Sequence, residues 1–79
     1  MMKPGDLVRA KYIGPASWPQ RWRTKRNYSE LVNVYQEDVG LVLCLSAHEW
    51  LPKDVVYWEV LVNGAIIYMA ENYLEIIHN

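Results

Sequence analysis

Val55-Val56-Tyr57-Trp58-Glu59-Val60-Leu61-Val62-Asn63-Gly64-Ala65-Ile66-Ile67-Tyr68-Met69-Ala70 is the stretch on which the fold of this chain turns. Two runs rich in β-branched and aromatic residues, 55–62 and 65–70, flank a single Asn-Gly pair. Residues of that kind suit the pleated, half-buried surface of a strand. Asn-Gly between strands predicts a type I′ turn, because both central residues then need a positive φ. A two-residue loop also fixes the register, setting Val62 opposite Ala65, Val60 opposite Ile67 and Trp58 opposite Met69. Together with Val56 these residues share one wholly apolar face, the expected core face. The other face carries Tyr57, Glu59, Leu61, Ile66 and Tyr68. That is greasier than a solvent face, so it is expected to be covered, by residues 15–38 of the same chain or by a partner. Tyr57, Leu61, Ile66 and Tyr68 are the candidate partner-binding residues, with a second copy of the chain as the first expectation.

Working outward, Glu71-Asn72-Tyr73 interrupts the alternation and residues 74–77 resume it, which predicts a short turn and a closing strand. Upstream, residues 39–46 (VGLVLCLS) are apolar on both faces and read as a central strand. Gly40 suggests a bulge or bend there, and Cys44 is expected to be a buried, inert thiol. Lys3-Pro4-Gly5-Asp6 is a turn signal. It launches residues 7–13, where Val8, Ala10 and Tyr12 alternate with Arg9 and Lys11. Gly14-Pro15 ends that run. Residues 47–54 read as a polar loop closing on Pro52-Lys53-Asp54. Residues 15–38 are the least regular part: Pro15, Ser17 and Pro19 break structure, and the segment is expected as a long irregular loop. Within it, residues 30–36 are open between an extra strand and a short helix, with Val and Tyr content favouring the strand. The expectation is an all-β chain of five to six short antiparallel strands in a partly open barrel, which protects sheet edges at small size.

The 79 residues, 52% apolar and 22% charged, are expected to form one folded domain over 1–79. A single cysteine rules out an internal disulfide framework. Two histidines and one cysteine are too few for a self-contained zinc site unless carboxylates or a second chain complete it, and no metal is expected. No apolar run approaches the ~18 residues of a membrane span. The start, MMKPGDLV, has no signal-peptide core, and the expected compartment is the cytoplasm. The net charge of −1 conceals an asymmetry. Up to Tyr28 seven cations face Asp6 alone; from Ser29 onward Lys53 alone faces eight carboxylates. Such a chain pairs its own halves, pairs with a copy of itself, or offers a basic surface to a polyanion.

No catalytic constellation stands out, and the chain is expected not to be an enzyme, with no cofactor and no small-molecule substrate. Ser46, His48 and Glu49 lie near one another in sequence, but proximity on a loop does not orient a base on a nucleophile. His48-Glu49-Trp50-Leu51-Pro52 opens like a zinc-protease helix but lacks its second histidine. His78 is penultimate. The segment Trp18, Arg21, Trp22, Arg23, Lys25, Arg26 and Tyr28 carries more information, because it interleaves rings with cations. Single-stranded nucleic acid takes that mixture, with stacking platforms beside charges that track phosphates. The opposing expectation has Trp18 and Trp22 plugging one end of the barrel while the cations pair with carboxylates such as Glu30, Glu37 and Asp38.

KPGDLVR, GLVL, YWEVLVNG and MAENYLEII, taken in order, resemble an SH3-like small barrel. Asn72-Tyr73-Leu74-Glu75-Ile76-Ile77 resembles the end of SH3 domains, where one 3₁₀ turn carrying Asn-Tyr precedes the last strand. Gly5-Asp6-Leu7-Val8 is closer to the first strand of KOW- and Tudor-type barrels. The same arrangement is similar to short uncharacterised proteins of tailed phages and marine viral sequences. The resemblance implies a phage accessory or assembly protein, placed in the host cytoplasm if viral. Proline-peptide binding by SH3 domains draws on an ALYDY-type first strand. Here residues 7–12 read LVRAKY and only Tyr73 matches a groove position, so that binding site does not carry over. The first functional expectation is therefore a non-enzymatic protein-interaction or assembly module. The alternative is a single-stranded nucleic-acid-binding barrel using residues 18–28.

Overall fold

A computed structural model of the chain describes residues 2–11, 14, 18–46 and 53–77. The Asn-Gly hairpin stands as the sequence dictates. Tyr57–Val62 (β5) and Ala65–Ala70 (β6) pair antiparallel, with Val62 opposite Ala65, Val60 opposite Ile67 and Trp58 opposite Met69. Asn63 and Gly64 take φ of 50° and 78°, the left-handed pair that a type I′ turn requires. Trp58, Val60, Val62, Ile67 and Met69 are all buried on the inner face. Val56 does not join them: it precedes β5 and is 46% exposed, because the inner face extends past the end of the core there.

Gly40–Ser46 (β4) pairs with β5, and Leu7–Ala10 (β1) pairs with β4. Leu74–Ile76 (β7) closes on the other side of β1 after a 3₁₀ turn at Glu71–Tyr73. The five-stranded order is β6-β5-β4-β1-β7, so β4 is the central strand, as its two-sided apolarity predicts. The bulge lies between Val42 and Cys44, not at Gly40. Gly40 answers a different need. A Cβ there would stand 2.6 Å from Val60 Cγ1, so a side chain is excluded by the close packing of β4 on the core. Beyond the bulge the strand runs past the core, which leaves Cys44 and Leu45 exposed. The expectation of a buried Cys44 is thereby corrected.

The larger correction concerns the long irregular loop expected over 15–38, within which the strand favoured at residues 30–36 does form. Gln20–Arg23 (β2) and Leu31–Val34 (β3) form a second antiparallel hairpin, with Arg21 opposite Asn33 and Trp22 opposite Val32. The described residues thus hold seven strands in antiparallel sheets of five and two, where five or six were expected. The small hairpin packs its inner side onto the core. Val34 is buried in the main cluster with Val8, Ala10, Val42, Val60, Ile67 and Leu74, and Trp22 and Val32 lie against that cluster. Four contacts fix the hairpin's position. Thr24 bridges to Ile67 and the Lys25 N–H donates to Ile66 O at 2.8 Å, joining the end of β2 to the edge of β6. Gln20 Nε2 donates to Lys11 O at 3.0 Å, just beyond β1. The Trp22 ring sits 5.5 Å from that of Tyr73. Tyr12, Ile13, Ser17, residues 47–52 including His48 and Glu49, and His78 lie outside the described residues.

Candidate functional site

Side chains directly opposite each other in an antiparallel sheet share a face. On the outer face of the large sheet, register therefore builds rows across the strands. Leu7 faces Leu41, Leu41 faces Leu61, and Leu61 faces Ile66. Ile77 extends the row beyond β7, donating its N–H to Leu7 O at 2.8 Å. The result is an apolar row crossing the sheet, in which Leu7 is 41% and Leu61 38% exposed.

The adjacent row is polar. Cys44, Glu59 and Tyr68 face one another on β4, β5 and β6, and Lys25 reaches in from the small hairpin to place Nζ 2.9 Å from Glu59 Oε1. The Glu59 side chain is almost enclosed, whereas that of Lys25 is half exposed. Burying a carboxylate without a partner is costly, so Lys25 is the group that allows Glu59 this position. The hydrogen bond and charge of Glu59 hold the Lys25 ammonium above its ordinary pKa. Desolvation first, and the Glu59 carboxylate second, push the Cys44 thiol and the Tyr68 phenol upward. Cys44 is exposed but protonated at neutral pH, and a protonated thiol is a poor nucleophile.

The four candidate partner residues separate on this face. Leu61 is open, Ile66 and Tyr57 are half-buried, and Tyr68 is only 4% exposed. The expectation that residues 15–38 cover the face holds for the polar row, through Lys25, and leaves the apolar row open. Leu7 and Leu41, which complete that row, were absent from the sequence-derived set. Each looks like an ordinary strand residue until the β1–β4 and β4–β5 registers place it beside Leu61. A bulge of one residue changes that register, and no local signal located it.

The seven candidate residues of the basic segment separate as well. Trp22 turns inward, with Nε1 donating to Gln20 Oε1 at 2.9 Å. Lys25 is held by Glu59, and Arg26 Nη2 lies 2.7 Å from Glu30 Oε2. Those are the pairings the opposing expectation foresaw in kind, and Glu30 is one of the carboxylates it named. Arg21, Arg23, Tyr28 and Trp18 stay on the surface, Trp18 at 70% exposure. The Arg23 guanidinium lies 4.5 Å over the Tyr28 ring and its Nη1 donates to Tyr28 O at 2.8 Å.

The turn of this hairpin is built from side chains. The Thr24 hydroxyl is within 2.9 Å of Asn27 O and 3.0 Å of Glu30 Oε1, and it accepts the Asn27 N–H at 3.1 Å. Arg26 first and Thr24 second hold the Glu30 carboxyl below its ordinary pKa, because both stabilise its ionised form. Among the described residues no group of three or more His, Cys, Asp and Glu side chains is placed to hold a metal, and no helix is long and apolar enough to cross a membrane. Against family models, curated proteins and solved structures alike, the chain finds no match.

Proposed function

We propose that the chain is a non-enzymatic interaction module, an SH3-like small barrel that docks a protein partner or a second copy of itself through the outer face of its large sheet. The observation that carries this reading is the apolar row Leu7–Leu41–Leu61–Ile66 across four adjacent strands, with Leu7 and Leu61 exposed and Leu41 and Ile66 half-buried. The 3₁₀ turn carrying Asn72 and Tyr73 ahead of a short closing strand supports the SH3-like part. Magnitudes set the character of the contact. Covering the exposed remainder of each side chain in the row is worth about 1 kcal/mol. Four such gains fall below or barely reach the association cost of about 4–15 kcal/mol. The interface therefore extends beyond the row, onto apolar side chains such as the exposed Val39 and, past the polar row, the half-buried Tyr57, and the association is weak and reversible. Tyr68, already buried, adds no new area.

Light scattering across a concentration series tests the self-association form directly. Concentration-dependent growth in mass is expected, abolished in Leu61→Arg with the far-ultraviolet sheet signal intact. A monomer at every concentration removes self-association. Equal capture of a partner by Leu61→Arg and the unmodified chain removes the docking face altogether.

A further inference from the structure

We propose that the outer face of the β2–β3 hairpin is a short docking site for single-stranded nucleic acid, with Arg21 on a phosphate and the Arg23–Tyr28 stack as the shelf for a base. Arg21 and Arg23 are two apart on one strand, so they share a face with Cα atoms about 6.6–6.8 Å apart. Their cross-strand neighbours, Asn33 and Leu31, carry no charge. The hairpin's own carboxylate, Glu30, has both oxygens within 2.8 Å of Arg26 Nη2 and is neutralised there. Among the described residues the Arg21 side chain makes no hydrogen bond or ion pair. The face is locally positive on a chain whose net charge is −1.

Charge alone would serve any polyanion; the stack narrows the choice. The Arg23 guanidinium has its carbon 4.5 Å from the Tyr28 ring centroid and its Nη1 tied to the Tyr28 carbonyl. Its rotamer freedom is spent before a ligand arrives, and it offers a planar cation beside a half-exposed ring. Bases stack on such planes irrespective of their identity. An acidic peptide would meet the same charges but gain nothing from the plane. The acidic remainder of the chain confines the footprint to a few nucleotides.

Fluorescence anisotropy on the full chain, with short labelled oligothymidylate and oligouridylate strands at low salt, tests the proposal. Binding is expected with a log–log salt slope of about −0.7, that of the one phosphate contact at Arg21. Arg21→Ala lowers the slope by about 0.7. Arg23→Lys keeps the charge and loses the plane, so it weakens binding about tenfold with the slope unchanged. Lys53→Ala, which removes an exposed cation outside the hairpin, leaves binding as it was. Circular dichroism shows each variant folded. No anisotropy change with either strand overturns the proposal, as does an equal loss on Lys53→Ala or equally tight binding of polyglutamate. None of these results bears on the apolar row, whose variants are read by mass.

Discussion

The two hairpins of this protein are held by different means. In β5–β6 a two-residue turn joins six-residue strands, and the inner face supplies five of the eleven residues of the core cluster. In β2–β3 four-residue strands are joined across residues 24–30, one face is solvent, and the connection is a mesh of side-chain hydrogen bonds around Thr24 and Asn27. An isolated two-stranded hairpin is marginal in water. The second one stands because Trp22, Val32 and Val34 are seated on a core that the first has already built. Local backbone preference suffices for the one; the other depends on a docking surface.

If that contrast is right, damage to β5–β6 is global and damage to β2–β3 stays local. The largest effect is expected at Ile67, which is fully buried and also meets Thr24 across the two sheets. Ile67→Ala should cost about 3 kcal/mol by chemical denaturation, with both hairpins lost in one transition. A transition that leaves β5–β6 amides protected would break the comparison. Thr24→Val comes next. Removing the hydroxyl strips a buried acceptor from the Asn27 N–H and a donor from Glu30, at about 1–2 kcal/mol. Hydrogen exchange should then rise across residues 24–34 while 57–70 keep their protection. Equal loss in both regions would mean that the small hairpin is integral to the fold.

Gly64→Val forces a β-branched residue into the left-handed region at φ 78°, at about 1 kcal/mol or somewhat more. Its open surroundings leave no clash to add, so the loss comes from the backbone alone. Gly64→Asn should recover most of it.

The smallest effect is a pH dependence. Glu30 has its folded pKa lowered by Arg26 and Thr24, so its ionised form favours the folded hairpin. That contribution is complete above the ordinary carboxylate value and is lost as pH falls through the lowered one. Protection factors around Thr24 and Glu30 should fall on acidification through that window, ahead of those in β5–β6. The Arg26–Glu30 pair is exposed, so added salt should weaken it too. A salt-insensitive turn would assign the stability to Thr24 alone.

Asn63-Gly64 and the alternation on either side determined, by themselves, the turn type, the register of six residue pairs and the inner face of β5–β6. A positive φ at two adjacent residues is a local steric property, and a two-residue loop leaves no freedom in the pairing. The two-sided apolarity of residues 39–46 likewise placed β4 at the centre, flanked on both edges, whereas the coverage it also implied is missing on the outer face, where Leu41 is half-buried and Cys44 exposed. Val56 and Cys44 were misjudged for one shared reason. Alternation says which way a side chain points and is silent on how far the core extends beneath it. Only the tertiary structure decided that residues 20–34 form a hairpin, since those short strands draw their stability from a surface assembled by residues far along the chain. It also parted Trp22 from Arg21 and Arg23, which lie beside it in sequence. The inward side of β2 is defined by where the core lies, and that is a property of the whole fold. The row from Leu7 to Ile66 has the same origin: four strands contribute one residue each, and their neighbourhood exists only once every register, including the bulge at Val42–Cys44, has been set.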